Sequence, residues 1–205
     1  MITKRIIDEK GIDQTEDTVL VLGYFDGLHK GHQALFEKAR EIAAEQGLKI
    51  AVMTFPESPK LAFVRYQPEL MLHLASPEDR MAQLENLGVD YLYLIDFTSH
   101  FAGNTARDFF EKYVPRLRAK AVVAGFDYHF GSDRKESHEL RDYFNGKIVI
   151  VPSVNLDNRK ISSTRIRETI AVGDMLKTQE LLGYPLSTRD IVVHGNARGR
   201  TIGYP

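Results

Sequence analysis

The sequence predicts an α/β fold, a Rossmann-like three-layer α/β/α domain around a mostly parallel sheet. Short β-branched and apolar runs recur along the chain, and each is followed by a turn and a stretch with helical spacing. The runs fall at 18–25, 48–55, 91–95, 121–125 and 147–151. They are nearly continuous in apolar character, as strands covered on both faces must be. Between the first two lies 31–46, where Ala34, Leu35, Ala39, Ile42 and Ala43 fall on one helical face and Gly47 stands where the helix would stop. Further helices are predicted at 77–87, from 105 to about 118, at 137–144, and in two short pieces after Ser163 and Asp174. Each is opened by a capping residue or a proline.

Composition narrows the function classes. The 205 residues are 43% hydrophobic, enough for one packed domain. With 27 Lys and Arg against 28 Asp and Glu, the net charge of −1 provides no general field for nucleic acid or an acidic membrane, so any anion must be bound locally. The absence of cysteine excludes disulfides, thiolate metal sites and a cysteine nucleophile. The opening MITKRIIDEKG has no apolar stretch of signal-peptide type, and no later run approaches the roughly 20 residues of a membrane span. The reading is a cytoplasmic protein with small-molecule partners, no nucleic acid and no membrane. Residues 1–186 read as one unit. The charge balance then turns basic from Arg159, and DIVVHGNARGRTIGYP reads as a fresh strand and glycine-rich loop, so 187–205 is expected to be the incomplete start of a second domain.

Two segments carry chemistry. In VLVLGYFDGLHKGHQALF a buried strand ends in a glycine-bearing turn and a helix begins near Gly31. Helix N-termini present unpaired N–H groups and partial positive charge to phosphate, and ligands of open α/β sheets sit beyond the carboxyl ends of the strands. His29 and His32 are three apart across that helix start, so their rings can share one space, with Gly23, Gly27 and Gly31 keeping the backbone open. Zinc ligation by the pair lacks a third ligand, which favours hydrogen bonding to phosphate and leaves no metal site on the protein. In KISSTRIRETI, Ser162, Ser163 and Thr164 supply hydroxyls and a helix cap just ahead of Arg165 and Arg167. That is either a second anion cradle or a capped surface helix.

Taken together, GYFDGLHKGH and ISSTRIR resemble the two signature motifs of the HxGH nucleotidyltransferase superfamily. GFDYHFGSDRKESHEL, ISSTRIRETIAVGD and LLGYPLS resemble the FMN adenylyltransferase module of the bacterial bifunctional FAD synthetase family. IVVHGNARGRTIGYP is similar to the opening of that family's riboflavin kinase domain, with Gly195, Gly199, Arg200, Gly203 and Pro205 on matching positions.

The resemblance implies FAD and pyrophosphate from FMN and ATP, with Mg2+ accompanying ATP and riboflavin kinase activity only in a full-length parent. It implies that His29, His32 and Arg165 are catalytic. Gly23, Phe25, Asp26, Gly31, Ser162, Ser163 and Thr164 would line the nucleotide site, and Phe55, Pro56, Asp127 and Phe130 would contact flavin. Two departures stand out. TFPESPKLAF lacks the histidine the family usually shows between its prolines, and the region after Gly131 lacks the downstream glycine usual in the family.

The chemistry asks little of a base, because a phosphomonoester is already largely dianionic at neutral pH. Two other readings stay open on the residues alone: transfer to a different phosphate-bearing acceptor, and a nucleotide- or flavin-sensing module without turnover. Phe63, Phe97, Phe101, Phe109, Phe110, Tyr113 and Tyr143 are expected to be core or rim packing, and His73, His100, His138 and His194 surface or capped histidines.

Overall fold

The structure is a computed structural model and describes residues 1–62, 72–188 and Gly203. Phe63, His194 and the expected second unit therefore lie outside the described residues, save for 187–188 and Gly203.

Six parallel strands form the central sheet: β1 (Ile2–Ile6), β2 (Thr18–Leu22), β3 (Lys49–Thr54), β4 (Tyr91–Ile95), β5 (Ala119–Gly125) and β8 (Lys147–Val151). Their spatial order is β1-β4-β3-β2-β5-β8. Two short hairpins, β6 (His129–Phe130) with β7 (Lys135–Glu136) and β9 (Asn155–Leu156) with β10 (Arg159–Lys160), stand apart from it. The helices are α1 (Lys30–Gln46), α2 (Pro77–Asn86), α3 (Ser99–Ala102), α4 (Ala106–Lys112), α5 (Ser163–Ala171) and α6 (Met175–Leu182).

Alternation along the strands builds the three layers. Val19, Val21, Val52 and Val123 face Leu35, Phe36, Ala39 and Ile42 of α1 and Leu84 of α2. Leu20, Leu22, Met53 and Ala124 face the opposite way, toward Phe109 and Phe110 of α4 and Tyr113. Every residue of β2 is buried, so the TVLVL run works on both faces. A smaller cluster of Leu74, Ile161, Ile166, Leu181 and Leu182 packs α5 against α6 beside the main core.

Some elements differ from the sequence reading. β1 is an edge strand with mostly exposed residues, so ITKRI shows no apolar run. The helix predicted to about 118 stops at Lys112, ahead of Pro115. Residues 137–144 form a 3₁₀ helix at Ser137–Asp142.

The chain order reverses at β2, which is bonded to β3 on one side and β5 on the other. Such a switch point opens a crevice beyond the carboxyl ends of the two strands, and the loops after Leu22 and Gly125 both enter it.

Candidate functional site

A cavity of about 640 Å³ fills that crevice. Its floor is the turn after β2. Phe25 adopts the left-handed region at φ 59°, uncommon outside glycine, and Gly27 follows at φ 72°. This sharp path delivers His29 to the N-cap of α1, where its Nδ1 accepts from the His32 N–H at 3.3 Å. With Nδ1 so engaged, the neutral ring carries its proton on Nε2. The two imidazoles stack with centroids 3.8 Å apart and planes 14° off parallel. Phe25 meets His32 edge-on at 5.3 Å.

Both rings are held neutral. Burial pushes His29 down to about 4, and Lys160 adds to the shift. Burial, the neighbouring His29 and Lys160 push His32 well below the usual histidine range. Among the described residues, His32 Nδ1 is buried without a hydrogen-bond partner, a polar atom that a ligand would satisfy.

The second motif closes the other side. Ser162 caps α5, its Oγ accepting from the Arg165 N–H at 3.2 Å, and Ser163 Oγ donates to the carbonyl of Asp26 at 3.1 Å. Two segments 137 residues apart in sequence thus meet at one hydrogen bond, and two helix N-termini open on one space.

Ten of the residues singled out from sequence line the cavity: His29, His32, Gly23, Phe25, Gly31, Ser162, Ser163, Phe55, Asp127 and Phe130. Four sit elsewhere. Asp26 is buried, its Oδ1 accepting from the Leu74 N–H at 2.9 Å and its Oδ2 paired with Arg167. Thr164 is exposed in the first turn of α5. Pro56 lines an adjoining cavity of about 320 Å³ with Arg5, Glu57 and Asp96. Arg165, expected beside the phosphates, is buried instead; its Nη1 donates to the carbonyls of Leu156 and Arg159, both at 2.8 Å, bracing the β9–β10 hairpin.

A cation that does line the cavity, and whose charge reaches both imidazoles, is Lys160 at the end of β10. It pairs with Asp127 and lies 4.6 Å from the Phe126 ring centroid. Sequence reading passed over it although it stands two residues before Ser162. Phe97 and Phe101, expected as core or rim packing, make with Phe55 a set of edge-on rings 5.0–5.7 Å apart that lines the cavity, and the core residue Phe109 joins the lining. Tyr128 stacks parallel to Phe130 at 6.1 Å in the same cavity, and burial pushes its phenol up. His73 is no isolated surface group. Its Nδ1 and Tyr24 Oη are 2.9 Å apart, and its Nε2 is 2.9 Å from Glu57 Oε2. Among the described residues, no group of three or more His, Asp or Glu is gathered to hold a metal ion, and no helix is long and apolar enough to cross a membrane.

Two helix starts, two imidazoles and several aromatic rings thus line one cavity, an arrangement chemically suited to a polyanion beside aromatic surface. The FAD synthetase family model matches residues 11–165. A bifunctional riboflavin kinase/FMN adenylyltransferase of Listeria monocytogenes is 38% identical over 190 residues, 91% of this chain and 60% of that protein. Its Bacillus subtilis counterpart is 37% identical over 196 residues, 94% of this chain and 62% of that protein. The chain thus spans about three-fifths of the length of the curated relatives it matches. A solved Streptococcus pneumoniae structure, described as a macrolide-efflux protein, superposes with a TM-score of 0.96 at 53% identity, over 100% of this chain and 67% of that one. A pantothenate synthetase from Thermus thermophilus shares the fold at a TM-score of 0.51 and 16% identity, over 89% of this chain and 81% of that one. On the family match and these relatives, the chain belongs to the FAD synthetase family.

Proposed function

We propose that this chain transfers the adenylyl group of ATP to FMN in the cytoplasm, giving FAD and pyrophosphate. The observation that carries the reading is one cavity lined both by two helix starts, at His29 and Ser162, and by the rings of Phe55, Phe97, Phe101, Tyr128 and Phe130. A planar, phosphate-bearing acceptor suits that wall better than a flexible aliphatic one.

A phosphate oxygen of FMN attacks the α-phosphorus of ATP, a new P–O bond forms, and the bond to the β-phosphate oxygen breaks. Pyrophosphate carries away the negative charge. The chain supplies alignment and charge compensation, with no general base. The neutral His29 and His32 rings offer N–H donors to phosphate oxygens, and Ser162, Ser163 and the first-turn amides of α5 offer a second set. Thr164 extends that turn at the surface. Lys160 gives up Asp127 to meet the incoming charge, and Arg165 braces the hairpin that presents it. Magnesium arrives with ATP, as part of the substrate. Phe55, Phe130 and the rings beside them receive the flavin, with Pro56 at the rim. The names of the longer relatives add a riboflavin kinase; we place that activity in a full-length parent.

The test is direct. Purified chain with FMN and MgATP is expected to form FAD, read by chromatography. ATP and FMN binding without FAD would favour a sensing role and overturn the proposal.

A further inference from the structure

The second motif carries two arginines, and neither lines the cavity. Arg167 and Ser163 stand four residues apart on α5, which places them on one helix face, and both hold Asp26. Ser163 Oγ donates to its main-chain oxygen at 3.1 Å and Arg167 Nη2 to its Oδ2. The same guanidinium donates to the carbonyl of Leu72 from Nε at 3.2 Å and from Nη2 at 3.1 Å. Asp26 is 4% exposed, and its Oδ1 is taken by the Leu74 N–H. Both carboxylate oxygens are therefore bonded within the protein. Asp26 also opens the turn Asp26–Leu28, and the next residue is His29.

We infer that Arg167 is a positioning residue for the transfer, acting through Asp26 to set the turn that delivers His29 to the cavity. The inference rests on the adenylyl-transfer reading for its kinetic consequence, and on the geometry alone for its structural one. A guanidinium fork suits this task because it spans a carboxylate and a carbonyl in fixed directions, which an ammonium cannot do. A small displacement of a phosphate donor lowers turnover without removing any contact from the ground state.

The experiment uses the full chain with Arg167→Gln, Asp26→Asn and the double variant, followed by steady-state kinetics and nitrogen-15 spectra of the histidine rings. Each single change is expected to lower kcat about 100-fold, with KM for MgATP within about threefold. The double variant is expected to be no slower than the worse single, because the two residues act as one unit. The His29 Nδ1 resonance, an acceptor in the parent, is expected to move. Multiplied losses in the double variant would overturn the inference, as would a roughly tenfold rise in KM with the His29 resonance unmoved, since Arg167 would then act on the substrate itself. If Arg167→Gln fails to fold, Arg167→Lys keeps the charge without the fork and reads the same quantities. If the unmodified chain makes no FAD, the transfer reading falls separately, and an unmoved His29 resonance in Arg167→Lys still overturns the positioning claim.

Discussion

His29 accepts a hydrogen bond from the main-chain N–H of His32 while the two rings stack 3.8 Å apart. One residue thus caps the helix and fixes the tautomer of its own ring, leaving Nε2–H as a donor at the helix start. His32 adds a buried nitrogen that has no partner among the described residues. His32→Ala is expected to lower kcat for FAD formation by about 100-fold while the fold persists, the scale of losing one transition-state donor. Unchanged turnover in a folded His32→Ala protein would remove His32 from the chemistry.

The depressed histidines make stability depend on pH. The unfolded chain takes up protons from about pH 6.5 downward, whereas the folded rings stay neutral, His29 until about 4. Protons therefore favour the unfolded state in that window, and stability falls as pH drops from 6.5 toward 4. His29 alone accounts for a loss on the order of 3 kcal/mol across it, since its folded value is about 4 against 6.5. Urea unfolding at several pH values should show the decline, and His29→Asn, which keeps an N-cap acceptor, should flatten it. An equally steep decline in His29→Asn would assign the effect to other groups.

Lys160 sits where its charge presses on both rings. Lys160→Met is expected to raise the titration midpoints of His29 and His32 and to raise KM for MgATP. Proton NMR titration of the ring signals reads the first effect and steady-state kinetics the second. Unmoved midpoints would mean that burial alone holds the rings neutral.

Gly131 turns the β6–β7 hairpin at φ 74°, and a Cβ there would overlap the Ala106 nitrogen and Asp133 Oδ1. Gly131→Ala is expected to cost about 2 kcal/mol or more, since strain and a broken Asp133 to Ala106 bond combine. For a domain of this size that lowers Tm by roughly 4–8 °C. A melting temperature equal to the parent's would show that the hairpin relaxes freely.

Legibility in the sequence followed burial. β2, β3 and β5 announced themselves because buried strands carry nearly unbroken apolar runs, and β4 and β8, though only partly buried, through the apolar runs YLYLI and KIVIV. β1 did not, because an exposed edge strand with Lys4 and Arg5 has no such signature. The His29 and Ser162 segments were readable because helix starts leave local marks: a cap, a glycine, a histidine spacing. Arg165 and Arg167 misled because alternate residues on a short helix point to different partners, and nothing local says that the hairpin carbonyls or Asp26 wait there. Phe97 and Phe101 were indistinguishable from packing because a cavity wall and a core use the same rings. Lys160 was hidden by its own ordinariness, a charged residue in a two-residue strand.

The most direct measurement follows the phosphorus atoms. With FMN and ATP labelled at the α-phosphate, the label is expected in FAD, while γ-labelled ATP delivers its label to pyrophosphate in equal amount. Label from the α-phosphate appearing only in free AMP or ADP, with FMN recovered unchanged, would contradict the account.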